Sequence, residues 1–194
     1  MDFDSTEQAV RMPPEKRLNV FALVMYIPGP LGIFLDDLRR KLVPGCNPHA
    51  HVSLLPPRPL AVDWRVASEQ VRAVFGPWAP FEIELTGIEV FPVTDVIYIE
   101  VGEGASELRR MHLAMNTGSL EFRDPFPYNP HITLAQELPP EQVASTNELA
   151  GRLWREFPGP RRFTAEHAVF VQNSLGDCWI DLAEHSLGGS PAKS

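Results

Sequence analysis

Two short stretches of this chain carry the same four-residue arrangement, His51-Val52-Ser53-Leu54 and His131-Ile132-Thr133-Leu134. Each reads histidine, apolar, hydroxyl, apolar. In an extended strand alternate side chains share a face. His51 and Ser53 therefore point one way and Val52 and Leu54 the other; His131 and Thr133 stand in the same relation to Ile132 and Leu134. Each strand offers one imidazole and one hydroxyl to a common space. That pairing suits reaction at the phosphorus of a phosphodiester, where the incoming oxygen must lose a proton and the departing oxygen must gain one. An ordinary imidazole titrates near pH ~6.5, so both of its forms are available around neutrality. The two hydroxyls can donate to the non-bridging oxygens as their charge grows. This chemistry needs no metal, and no cofactor is expected.

The elements that must hold these residues are legible as apolar patterns. Residues 19–27 form a continuous apolar run that reads as a buried strand, ended by Pro28-Gly29-Pro30. Leu31, Phe34, Leu35, Leu38 and Leu42 recur at helical spacing before Pro44-Gly45. Residues 50–55 predict a short strand closed by Pro56-Pro57. Asp63 predicts an N-cap for a helix from Trp64 to about Phe75. Residues 81–91 and 96–101 read as strands.

The second half follows the same order. Ser106 predicts the cap of a helix from Glu107 to about Asn116, and residues 131–135 form the second histidine strand. Pro139-Pro140 opens a helix through Trp154, and residues 162–172 and 178–182 are the last strands. His51 and Phe91 lie 40 residues apart, and His131 and Phe170 lie 39 apart. This predicts one domain over 18–186 built of two pseudo-repeats, about 18–95 and 96–186, with a flexible arm at 1–17 and a disordered tail at 187–194. Pseudo-twofold symmetry would set the two histidine strands across a cleft from each other.

The 194 residues, 44% of them hydrophobic, suffice for one sizeable core. No apolar run is long enough to cross a bilayer, and the start lacks the basic and apolar regions of a secretory signal. Cys46 and Cys178 match no metal or redox spacing. A cytoplasmic monomer without membrane contact is expected. The net charge of −8 disfavours a grip on long duplex nucleic acid and favours a small nucleotide or an RNA terminus.

On its two histidine motifs the chain resembles the 2H phosphoesterases, which include the 2′,5′-RNA ligases and the 2′,3′-cyclic nucleotide phosphodiesterases. The resemblance covers about residues 18–185. It implies an α+β fold, bilobal, with two pseudo-symmetric lobes whose antiparallel sheets line a central cleft. It implies further that His51, Ser53, His131 and Thr133 form the active-site tetrad, with His131 the base and His51 the acid in hydrolysis. Many ligase-like members place an arginine shortly after the second motif; here Ala135-Gln136 stands there. After the first motif Leu55-Pro56-Pro57-Arg58 replaces an aromatic-glycine ending, and Arg58 is a candidate for the missing positive charge.

Further candidates surround the motifs. His49 and Asn129 each precede a motif histidine by two positions, as substrate contacts or as strand-capping loop residues. Arg123, beside Asp124, is a candidate phosphate ligand or a surface ion pair. Tyr26, Phe126 and Tyr128 are candidates to stack on a base or to pack in the core. His112, His167 and His185 read as structural or surface residues. The function expected is metal-independent hydrolysis of a 2′,3′-cyclic or related phosphodiester, reversible as ligation to a 5′-hydroxyl. A non-catalytic nucleotide-binding module is the alternative. A zinc site of His49, His51 and His131 is a more distant one.

Overall fold

The structure, a computed structural model, describes residues 16–175 and 178–188. The arm and tail expected from the sequence lie outside these residues except at 16–17 and 187–188.

Apolar alternation and helical spacing set most elements where the sequence puts them. They are strand β1 (Arg17–Tyr26), helix α1 (Leu31–Leu42), β2 (His51–Arg58), α2 (Trp64–Phe75), β3 (Phe81–Val90) and β4 (Ile97–Val101). There follow α3 (Ala105–Met115), β5 (His131–Ala135), α4 (Pro140–Glu156), β6 (Arg162–Ala165), β7 (His167–Ser174) and β8 (Trp179–Ser186). Helix α1 buries Leu31, Leu35, Leu38 and Leu42. Asp63 caps α2 by accepting from the Arg65 backbone N–H at 2.8 Å.

Three local expectations are corrected. Pro56-Pro57 does not close the first histidine strand, which runs on to Arg58. The strand is an edge, paired only to β1, and an edge tolerates residues that lack an N–H. Helix α3 is capped by Gly104 and not by Ser106. Gly104 has φ +86°, and a Cβ there would lie 2.6 Å from the Glu82 carbonyl oxygen, so glycine meets both demands. The apolar run 162–172 breaks at Glu166 into two strands that join different sheets.

The strands form two four-stranded antiparallel sheets, in the orders β2-β1-β7-β8 and β5-β4-β3-β6. Each histidine strand is an edge, next to the first strand of its own half. The division at residues 95 and 96 is not the division into sheets. The first half sends β3 into the second sheet, between β4 and β6, and the second half sends β7 and β8 into the first, beside β1. The halves are interlocked.

One core holds both sheets. Leu23, Met25, Val52, Leu54 and Phe170 of the first meet Ile83, Ile97, Ile99, Ile132 and Leu134 of the second in a continuous buried cluster. Edges β2 and β5 pack against each other, helix α1 reaches past its own sheet to β5, and α3 reaches to β2. Each histidine strand is thus supported from the opposite half.

Candidate active site

Along both motifs burial alternates as a two-residue period requires. Val52, Leu54, Ile132 and Leu134 are each at most 1% exposed, while His51, Ser53, His131 and Thr133 stand partly open on the other face. Register extends that face across each sheet, because directly opposed residues in antiparallel strands share a side. Tyr26 opposes His51, and Val24 opposes Ser53. Glu100 opposes His131, and Tyr98 opposes Thr133.

The two imidazoles are held in the same way. Nδ1 of His51 lies 2.7 Å from the His49 carbonyl oxygen, and Nδ1 of His131 lies 2.7 Å from the Asn129 carbonyl oxygen. A carbonyl can only accept, so each Nδ1 carries a hydrogen and donates it. In the neutral ring Nε2 then has the free lone pair, and in the charged ring Nε2 has the mobile proton. Each ring also meets aromatic neighbours nearly at right angles. Tyr26 lies 6.4 Å from His51, and Phe91 and Tyr98 lie 5.0 and 5.4 Å from His131. Neither the Ser53 nor the Thr133 hydroxyl has a hydrogen-bond partner among the described residues, which leaves both free to donate.

Burial pushes the His51 imidazole down to about 4. The charges of Arg39, His49 and His131 act in the same direction, against the His49 carbonyl that favours the charged ring. Burial likewise lowers His131, opposed by the Asn129 carbonyl. The His131 charge is among those that act on His51. Arg39, on α1, is a neighbour of the site that the sequence did not single out. Its Nε is buried and has no hydrogen-bond partner. Nothing in its helical spacing marks it, because its proximity depends on Asp36 of the same helix accepting from the Ala50 N–H at 2.7 Å, one residue before His51.

The remaining candidates separate into three groups. His49 and Asn129 hold the motif histidines through their backbones; the His49 ring is exposed, and the Asn129 side chain accepts from Arg109 at 3.2 Å. Arg123 is exposed and makes no ion pair among the described residues, so the pairing with Asp124 is not formed.

Arg58 and Tyr128 are committed elsewhere. The Arg58 side chain is 1% exposed and donates to the Pro56 and Leu120 carbonyls, to Asn116 and to Asp124. The reading of Arg58 as a phosphate ligand is corrected on that ground: four of its hydrogen bonds are spent inside the fold. Tyr128 stacks on His112 with ring centres 4.0 Å apart, and its hydroxyl donates to the Ser53 carbonyl at 2.9 Å. Its stacked face and its hydroxyl therefore serve packing more than a ligand. His112 and His185 are buried structural histidines, bound to the Leu54 carbonyl and the Ser68 hydroxyl, and His167 is on the surface.

No group of three or more His, Cys, Asp or Glu side chains among the described residues is arranged to hold a metal ion. His49, which the zinc reading requires as a ligand beside His51, instead stacks on Tyr26. No helix among the described residues is long and apolar enough to cross a membrane.

The family model of the 2′-5′ RNA ligase superfamily matches residues 28–177. OB1230 of Oceanobacillus iheyensis, named as a candidate phosphoesterase, is 32% identical over 89 residues, 45% of this chain and 50% of that protein. The chain thus spans about half the length of that relative. Among solved structures, Escherichia coli LigT complexed with NADP+ superposes with a TM-score of 0.61 at 15% identity, over 89% of this chain and 98% of LigT. The protein TT0787 of Thermus thermophilus gives 0.58 at 18% identity, over 89% and 100%. Usb1 of Kluyveromyces marxianus gives 0.55 at 15%, over 87% and 99%. These likenesses establish the bilobal fold.

Proposed function

The chain belongs to the 2′-5′ RNA ligase superfamily, and on that footing we propose that it is a metal-independent phosphodiesterase that opens a nucleoside 2′,3′-cyclic phosphate. The observation that carries the reading is the matched pair of imidazoles, each with its Nδ1 fixed by a backbone carbonyl two residues upstream and its Nε2 left to exchange a proton. In hydrolysis one Nε2 accepts a proton from the attacking water while the other gives one to the departing ribose oxygen. One P–O bond forms and one breaks, and a phosphomonoester results. The Ser53 and Thr133 hydroxyls donate to the non-bridging oxygens. Exposed Arg123 is placed in sequence just before the second motif to meet the phosphate charge.

Burial holds both rings below the ordinary imidazole value, and the roles we assign are those the resemblance implies, His131 the base and His51 the acid. The same site run backward joins a cyclic end to a 5′-hydroxyl. The fold neighbours captured with NADP+ and with 3′-AMP support a nucleotide as the ligand class.

The test is turnover of the four nucleoside 2′,3′-cyclic monophosphates in excess EDTA. His51→Ala and His131→Ala should each lower kcat by roughly 10²–10⁴ while the protein stays folded. Near-wild-type turnover by either variant, or loss of wild-type activity on chelation, would overturn the reading.

A further inference from the structure

Beside His51 lies a layered arrangement that the acid–base chemistry does not use. Ala22, Val24, Val169 and Val171 form a small apolar patch on the His51 face of the first sheet, separate from the main core, and Tyr26 packs against it. The Tyr26 hydroxyl donates to Asp181 at 2.7 Å, across the sheet on β8, which pins the ring. Stacked on its ring is the His49 imidazole, 3.6 Å away between ring centres and only 8° from parallel. One face of Tyr26, a candidate base-stacking residue by sequence, is therefore taken by His49. The outermost plane of the stack is His49, whose side chain is exposed.

We propose that the outer face of the His49 ring is the platform on which the nucleobase of the substrate stacks. This deepens the phosphodiesterase reading and rests on it. The placement follows from how the parts are joined. The His49 carbonyl holds Nδ1 of His51, so the ring that receives the base and the ring that moves the proton belong to one short segment, residues 49–51. Asp181, Tyr26 and the valine patch fix the plane from below. A base seated there sets the ribose, and with it the cyclic phosphate, at a defined distance from Nε2 of His51.

The other wall offers no equivalent plane. Around His131, Tyr98 is buried against Phe91, and Phe91 is half-buried and edge-on to the imidazole. The same face carries Glu82, Glu84, Glu89 and Glu100, with Arg162 bound to Glu84. A neutral base tolerates either wall, and beside His51 the exposed His49 ring offers it an aromatic face.

The experiment compares kcat/KM for adenosine 2′,3′-cyclic phosphate with that for the base-free ribose 2′,3′-cyclic phosphate. Stacking on an aromatic side chain is worth roughly tenfold or more per base. The preference of the wild-type protein for the nucleoside substrate should fall roughly tenfold in His49→Ala and return in His49→Phe, which restores a plane without a titratable ring. An unchanged preference in His49→Ala would overturn the proposal. So would a loss that appears in Phe91→Ala or Phe126→Ala instead.

If the wild-type protein turns over neither substrate, the phosphodiesterase reading fails, and the platform is judged by calorimetric binding of adenosine 3′-monophosphate. Binding lost in His49→Ala and kept in His49→Phe supports the platform, and equal binding by all three proteins overturns it.

Discussion

The hydroxyl of Tyr128 donates to the backbone carbonyl of Ser53 at 2.9 Å, so the loop that leads into the second histidine strand is fastened to the first. The two residues are 75 positions apart. The bond ties the approach to one motif to the backbone of the other. Tyr128→Phe keeps the ring and its stack on His112 but leaves the Ser53 carbonyl without this donor. A loss of about 1–2 kcal/mol in folding stability is expected, read from the urea midpoint. If the bond also sets the spacing of the two imidazoles, kcat should fall severalfold in the same variant with little change in KM. A variant as stable and as active as the parent would show that the fastening contributes nothing.

Arg58 gives a prediction of a different kind. Its guanidinium is enclosed by Pro56, Asn116, Leu120 and Asp124 and lies over the Phe122 ring. Arg58→Met should therefore destabilise the fold by about 3–5 kcal/mol, because the Asp124 charge and two carbonyls lose their partner. Urea denaturation measures it. A phosphate ligand would behave otherwise: its removal would raise KM and leave the midpoint where it was.

Acid should weaken the fold through its imidazoles. Burial holds His51, His131, His112 and His185 below the ordinary imidazole value. In the unfolded chain these groups titrate near ~6.5. Between that value and the value near 4 for His51, the unfolded chain binds more protons than the folded one. Stability is therefore fully present above about pH 6.5 and declines as pH falls through this window. Asp36, raised by burial, works the other way, one group against four. The urea midpoint should drop between pH 7 and pH 5, and His51→Gln should flatten that drop. A midpoint that rises on acidification would contradict it.

The histidine motifs were legible because a strand writes its two faces into alternate positions, and the burial along His51–Leu54 and His131–Leu134 repeats that alternation. Helix α1 was legible to the residue because its apolar positions recur at one spacing. What local pattern could not convey is which strand lies beside which. Nothing in residues 81–90 says that they pair with 97–101 and 162–165, on the side of the second motif, because hydrogen-bond partners leave no mark on apolar alternation. The same blindness explains Pro56-Pro57, whose tolerance depends on β2 being an edge. It also explains Arg58, which looks like a free cation until Asn116, Leu120 and Asp124 are brought to it from another part of the chain. Of the candidate site, the two imidazoles and the two hydroxyls lay in the motifs. The Tyr26–His49 stack and the approach of Arg39 depend on the tertiary fold.

The interlocked sheets bear on how the protein is made. Synthesis runs from the N-terminus, so β1 and β2, with His51, leave the ribosome early. Their sheet lacks β7 and β8 until residues 167–186 have emerged. Until then β1 has one open flank, rich in apolar side chains. The first lobe cannot finish folding while the second is being translated, as an independent N-terminal domain would. Both histidines should reach their final setting together, in one step that follows the release of β7 and β8.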